Sequence, residues 1–176
     1  MTRQSIMKLQ SIHIRANSIL AEDEKIGEVA THEAAHFVAA VARGVGVHKV
    51  WIKGKRGSGQ SIRTNGTDGH VAVWTDDYAN DAFVSYSGHA WEEIYGDIGY
   101  AAADFECAER NNHPEELENA RKLIQQHEQL IRHVAAAMLD LRDSQGWLAG
   151  KKLQDLYSWA RCQYTKHKRK KNVLFE

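Results

Sequence analysis

Residues 32–36 read HEAAH, two histidines four positions apart with a glutamate directly after the first. On an α-helix, positions i and i+4 share a face, so His32 and His36 can offer imidazole nitrogens to one metal ion. Glu33 lies one position round from His32. From there its carboxylate reaches a water on the ion without taking a coordination position, which is the arrangement of a general base in metal-assisted hydrolysis. The alternative is an ordinary charged helix face, and the setting counts against it. Ala30, Ala34, Ala35, Phe37, Val38, Ala39 and Ala40 make the segment strongly apolar, and burying two histidines and a glutamate without partners is costly.

A catalytic zinc takes three protein ligands and leaves its fourth position to water, so a third ligand is expected downstream. The extended motif with glycine at 39 and histidine at 42 is excluded, because both positions are alanine. Two carboxylates compete. "GHAWE", residues 88–92, has the G-x-x-x-E shape that would make Glu92 the ligand. "AAADFECAE", residues 101–109, offers Asp104 behind a run of small residues that lets helices approach closely. Spacing alone does not choose between them.

The elements that must position these residues are mostly helical by their apolar spacing, and the single proline, Pro114, interrupts little. A helix is predicted from Glu24 to about Arg43, with "RGVG" as its stop, so the motif sits mid-helix. Two β-like runs follow, "HKVWIKG" and "HVAVW". The segment between them carries Asn65-Gly66 and predicts a small antiparallel sheet with a long basic loop. Further helices are expected from Asp77 to Tyr95, from near Tyr100 with Asp104 in the first turns, from Pro114 to about Leu141, and from Trp147 to Tyr164. The fold class is therefore mainly α (α+β), one domain over 1–176, with 1–22 as an N-terminal extension and 165–176 as a basic, frayed C-terminal tail.

Composition removes several function classes. With 43% hydrophobic and 26% charged residues and formal net charge zero, the chain reads as soluble and globular, and its whole surface is not a polyanion-binding one. Nucleic acid is not the expected partner, despite "KHKRKK" at 166–171. Only Cys107 and Cys162 occur, which suits a reducing cytoplasm. No stretch is apolar enough for a signal peptide or membrane span. "GKRGSGQS" nearly matches a phosphate-binding loop, but Gln60 stands where the lysine must be, so no nucleotide is expected. Lys53, Lys55, Arg56 and Arg63 in this region read as solvated charges. His70, His89, His113, His127 and His133 have no ligand partner at a telling spacing and read as structural or exposed.

"EKIGEVATHEAAHFVAAVARGVGVHKVWIKGKRG", "GHVAVW" and "SGHAWEEIYGDIGYAAADFECAE" together resemble the peptidase domain of FtsH-type zinc metalloproteases. The similarity spans about Glu24 to Tyr157 and is weaker after Asp104. Matched position by position, the resemblance implies a helical zincin-type fold, zinc held by His32, His36 and Asp104, and Glu33 as the base. It makes Glu92 and Glu93 packing residues or supports of the ligands. The chain departs from the family at Ala35, where a glycine is usual, and at His89 and Trp91. It also has no room for the membrane segments and AAA+ ATPase that precede this domain in the family. The expected function is thus a stand-alone, ATP-independent zinc metalloendopeptidase acting on flexible or unfolded polypeptides. "HVAVW" would serve as an edge strand beside the substrate backbone, which implies broad specificity with a modest apolar preference. His89, Tyr95 and Tyr100 are the candidates for an extra oxyanion donor. The alternative is a non-hydrolytic zinc-containing interaction protein whose basic tail binds nucleic acid or a partner. A glutamate beside the first histidine speaks against it, since a structural zinc site has no use for a base.

Overall fold

In a computed structural model, residues 1–53, 68–96 and 102–173 are described. The predicted basic loop, with Lys55, Arg56, Arg63 and Asn65-Gly66, lies outside them, as does Tyr100. The described residues form α1 (Arg3–Ala21), α2 (Glu24–Arg43), β1 (Gly46–Lys53), β2 (Asp68–Trp74), α3 (Tyr78–Tyr95), α4 (Ala102–Arg110), α5 (Glu115–Leu141), β3 (Trp147–Ala149) and α6 (Gly150–Val173). This is a mainly helical protein with one small antiparallel sheet.

Local chemistry explains the ends of α2. The Asp23 carboxylate accepts from the Ile26 amide at 3.3 Å, satisfying one of the free donors of the first turn. Gly44 closes the helix at φ 72°, a left-handed conformation that costs glycine little. Between these caps nearly every residue from Ile26 to Val41 is buried. A helix apolar on all sides belongs in the centre of a fold, and α2 packs on α3, on α5 and on the sheet. Phe37 has no exposed surface, and its ring meets Tyr157 of α6 edge-on. The Tyr157 hydroxyl donates to the Val45 carbonyl at 2.9 Å, tying α6 to the turn that leaves α2.

The neighbouring helices are fixed with similar economy. Asp77 caps α3 by accepting from the amides of Ala79 and Asn80. Pro114 opens α5 where a missing N–H is harmless, and Glu115, Glu116 and Glu118 face the positive end of its dipole. Glu116 also takes the guanidinium of Arg43, the last residue of α2, which in turn lies over the Phe83 ring of α3. One ion pair thereby joins three helices.

Two elements differ from the sequence expectation. Residues 1–22, read as an extension, contain α1, which buries Leu9, Ile12 and Ala16 at helical spacing and packs on α5. The last helix, expected from Trp147, begins at Gly150, because Trp147–Ala149 pairs with β1 as β3 in the order β2-β1-β3. Gly150, at φ 59°, makes the change from strand to helix possible. That helix continues to Val173, through most of the segment read as a frayed tail. Val50, Ile52, Val71 and Leu148 form the buried face of the sheet. β1 is the central strand, so the described part of β2 has one edge not paired within the sheet.

Where α1 meets α5, the His13 and His133 rings meet at a tilt of 53°, with centroids 3.6 Å apart. Burial and the neighbouring His13 push the His133 pKa down to about 4. A base with a depressed folded-state pKa takes up protons preferentially when unfolded, so stability is present above the ordinary value of 6.5 and falls as pH drops towards about 4. On going from pH 7.5 to 5, the change in stability read from denaturant melts should be more favourable in His133→Gln than in the unaltered chain, because the substitution removes this one penalty. An equal pH slope in the variant would mean that the His13–His133 pair makes no contribution to it.

Candidate metal centre

α2 presents His32 and His36 on the face that meets α3, and α4 brings Asp104 to the same point. The Nε2 atoms of the two imidazoles are 3.1 Å apart. Oδ2 of Asp104 lies 2.9 Å from His32 Nε2 and 3.2 Å from His36 Nε2. Three donor atoms from two helices thus converge on one point, although His36 and Asp104 are 68 residues apart in the chain.

Each imidazole is oriented by its other nitrogen. His36 Nδ1 donates to the Val84 carbonyl at 2.7 Å. His32 Nδ1 lies 2.7 Å from Oε1 of Glu92, a residue only 4% exposed. A ring held at Nδ1 by a carbonyl or carboxylate turns its Nε2 lone pair towards the common point, the usual support of a metal-bound histidine. Both carboxylates that competed for the third position therefore touch His32, on opposite nitrogens. Asp104 stands with the converging donors and Glu92 behind the ring.

The close helix contact that makes this possible depends on Gly88 of α3. A Cβ there would lie 2.3 Å from His36 Nε2 and 2.7 Å from His32 Cε1, so any side chain would occupy the space the rings use. Ser87, beside it, is fully buried and donates to the Phe83 carbonyl within its own helix. It takes no part in the donor cluster.

The electrostatics are those of a tightly held ion cluster. Burial opposes a charge on His32, but hydrogen bonding to Asp104 and Glu92 outweighs it and raises the pKa to about 10. His36 is raised as well, against its burial, by the negative charge of Asp104. Burial would lift the Asp104 carboxyl, yet the two imidazoles hold it far below the usual carboxylate range. A divalent cation at this point must compete with protons, so affinity for it should fall as pH falls.

The donor set could hold a metal ion, and its spacing fits a tetrahedral one such as zinc. Two ligands about 2.0–2.1 Å from a tetrahedral ion are roughly 3.3 Å apart, close to the separations here. Two neutral imidazoles and one carboxylate also leave a fourth position open. Glu33 is buried next to His32, and its negative charge raises the proton affinity of both histidines. It is not one of the three converging donors.

The remaining residues singled out in the sequence stand elsewhere. Glu93 forms a two-point ion pair with Arg121 at 2.8 Å on the surface. His89 packs on Phe105, His127 is buried against Tyr164, and His113 pairs with Glu115. Val84 and Gly88 shape the histidine cluster, and sequence reasoning missed both roles. The carbonyl carries no side-chain signal, and the glycine was read only as part of a motif shape. Comparison with protein-family models gives no match for this chain, and comparison with curated proteins gives none.

Proposed function

We propose that the protein is a zincin-type zinc metalloendopeptidase, with zinc held by His32, His36 and Asp104 and with Glu33 as general base. The observation that carries this reading is the convergence of three donor atoms, 2.9 to 3.2 Å apart, beside a buried glutamate that is not among them. The resemblance of the HEAAH helix, the following strands and the Asp104 segment to FtsH-type peptidases supports it further.

Zinc in such a site supplies Lewis acidity, acidifying water and polarising a carbonyl oxygen. The protein does the rest. Glu33 accepts a proton from the attacking water and returns it to the leaving amine. Asp104 brings negative charge to the donor set, while Val84 and Glu92 keep the rings aimed. β2 offers an edge along which an extended substrate backbone can pair, giving affinity with little demand on side chains. No step draws on a nucleotide, so flexible or unfolded polypeptides are the proposed substrates, cut without ATP. The free thiols of Cys107 and Cys162 suit a reducing compartment such as the cytoplasm. Among the described residues no helix is long and apolar enough to cross a membrane.

The test is cleavage of an unfolded protein, with metal analysis of the same sample. Activity should vanish with a chelator, return with zinc, and be indifferent to ATP. Absence of cleavage in a zinc-loaded sample would reject the peptidase reading. A second experiment separates the two carboxylates. Asp104→Asn should weaken zinc binding about 10-fold or more, because an anionic ligand is lost, while Glu92→Gln should have the smaller effect of a loosened support. If Glu92→Gln loses the metal and Asp104→Asn keeps it, the ligand assignment is inverted.

A further inference from the structure

Behind His32, on the side away from Asp104, lies a cavity of about 600 Å³ between α1, α2, α3 and α5. That is ample for a small organic ligand. Among the described residues its lining includes three acidic residues, Glu24, Glu28 and Glu92, and one basic residue, Arg132, a formal excess of two negative charges. Glu24 and Glu28 are exposed at its rim, and Glu92 is buried. The aromatic rings of Trp91 and Tyr95 complete the wall. Aromatic faces attract cations within about 6 Å. The rings already carry one cation, the Arg132 guanidinium at 5.3 and 5.8 Å from the two ring centres, which also pairs with Glu128 at 2.8 Å.

We propose that the cavity is a binding site for an organic cation, an ammonium or guanidinium group on a short aliphatic chain, and that it communicates with the metal centre through Glu92 and His32. Carboxylates recognise the charged head, and the indole and phenol rings cover the chain. The link is short. Glu92 lines the cavity and stands 2.7 Å from His32 Nδ1, while Nε2 of the same ring points at Asp104. A cation that engages Glu92 draws its negative charge away from the imidazole and weakens His32 as a donor. By thermodynamic reciprocity, a metal on His32 must weaken the cation to the same degree. The cation can come from a free amine or from a lysine or arginine side chain of a polypeptide. The second source would add a basic preference to the modest apolar one expected from sequence.

Agmatine is a suitable probe because it carries both head groups. In calorimetric titration of the metal-free full chain it should bind saturably, while N-pentylacetamide, a neutral molecule of similar length, should not. Glu28→Gln, an exposed substitution on the rim, should weaken agmatine about 5-fold. The coupling arm alone rests on the metal-centre reading. Zinc should weaken agmatine binding about 10-fold, agmatine should weaken zinc binding equally, and Glu92→Gln should abolish this mutual effect. A blocked peptide with one arginine that displaces agmatine would identify a polypeptide side chain as the occupant, and failure to displace it a free amine. No saturable binding, equal binding of the neutral analogue, or indifference to Glu28→Gln would overturn the site. Agmatine binding that ignores zinc, in a sample shown to bind zinc, would overturn the communication. Neither result depends on whether peptides are cleaved.

Discussion

Glu33→Gln is expected to lower hydrolysis of an unfolded polypeptide by about 10²–10⁴-fold, the usual contribution of a positioned acid–base group, with zinc stoichiometry unchanged. The amide keeps the size and shape of the carboxylate, so α2 should pack as before around a residue that is 5% exposed. What it loses is the ability to take a proton from water. Metal content should hold because the converging donors are His32, His36 and Asp104. Single-turnover cleavage measured alongside zinc content decides the matter. Unchanged turnover at full zinc occupancy would remove Glu33 from the mechanism, and lost zinc would make it a ligand or its support.

Gly88→Ala should be the most damaging single-methyl change to the metal centre, weakening zinc binding by about 100-fold. The added Cβ would sit 2.3 Å from one imidazole nitrogen and 2.5 Å from the adjoining carbon. Those rings cannot simply swing aside, because His36 is held by Val84 and His32 by Glu92. Alanine favours a helix over glycine by about 1 kcal/mol, whereas overpacking costs about 1–3 kcal/mol. The net loss of stability, about 0–2 kcal/mol by difference, should therefore be smaller than the roughly 2.7 kcal/mol that a 100-fold loss of zinc affinity represents. Gly96→Ala is the control, since its Cβ would meet its nearest neighbour at an ordinary 3.5 Å. A zinc titration in which the two variants behave alike would show that close approach at Gly88 is not what shapes the donor set.

Much of this arrangement was readable in advance, for physical reasons that vary by element. The end of α2 could be read because Gly44, in "RGVG", is a local signal whose meaning does not depend on distant residues. The long α5 was equally plain from its apolar stripe and Pro114, although its break in helical geometry at His127 was not. β3 could not be read. Three residues are too few for an alternating pattern, and what makes them a strand is pairing such as Lys49 with Ala149. α1 was read only as an extension, because what buries Leu9, Ile12 and Ala16 is its packing on the distant α5, which no local signal announces. At the metal centre, HEAAH announced its own half. Spacing left the choice between Asp104 and Glu92 open, and the family resemblance made it in favour of Asp104; both approach His32, and the packing of α3 on α2 and of α4 on α3 sets them against different nitrogens.

The placement of β3 has a consequence for how the chain is made. β1 is complete once Lys53 has been synthesised, but its partner Ala149 lies 100 residues beyond Lys49 (149 minus 49). At roughly 5–20 residues per second, about 5–20 s of translation separates the two. Throughout that interval one margin of β1, including Val50 and Trp51, has no partner strand from its own chain. Unpaired strand margins invite association with other chains. On the ribosome, the emerging protein should therefore depend on chaperones most in the window between the appearance of Lys53 and that of Ala149.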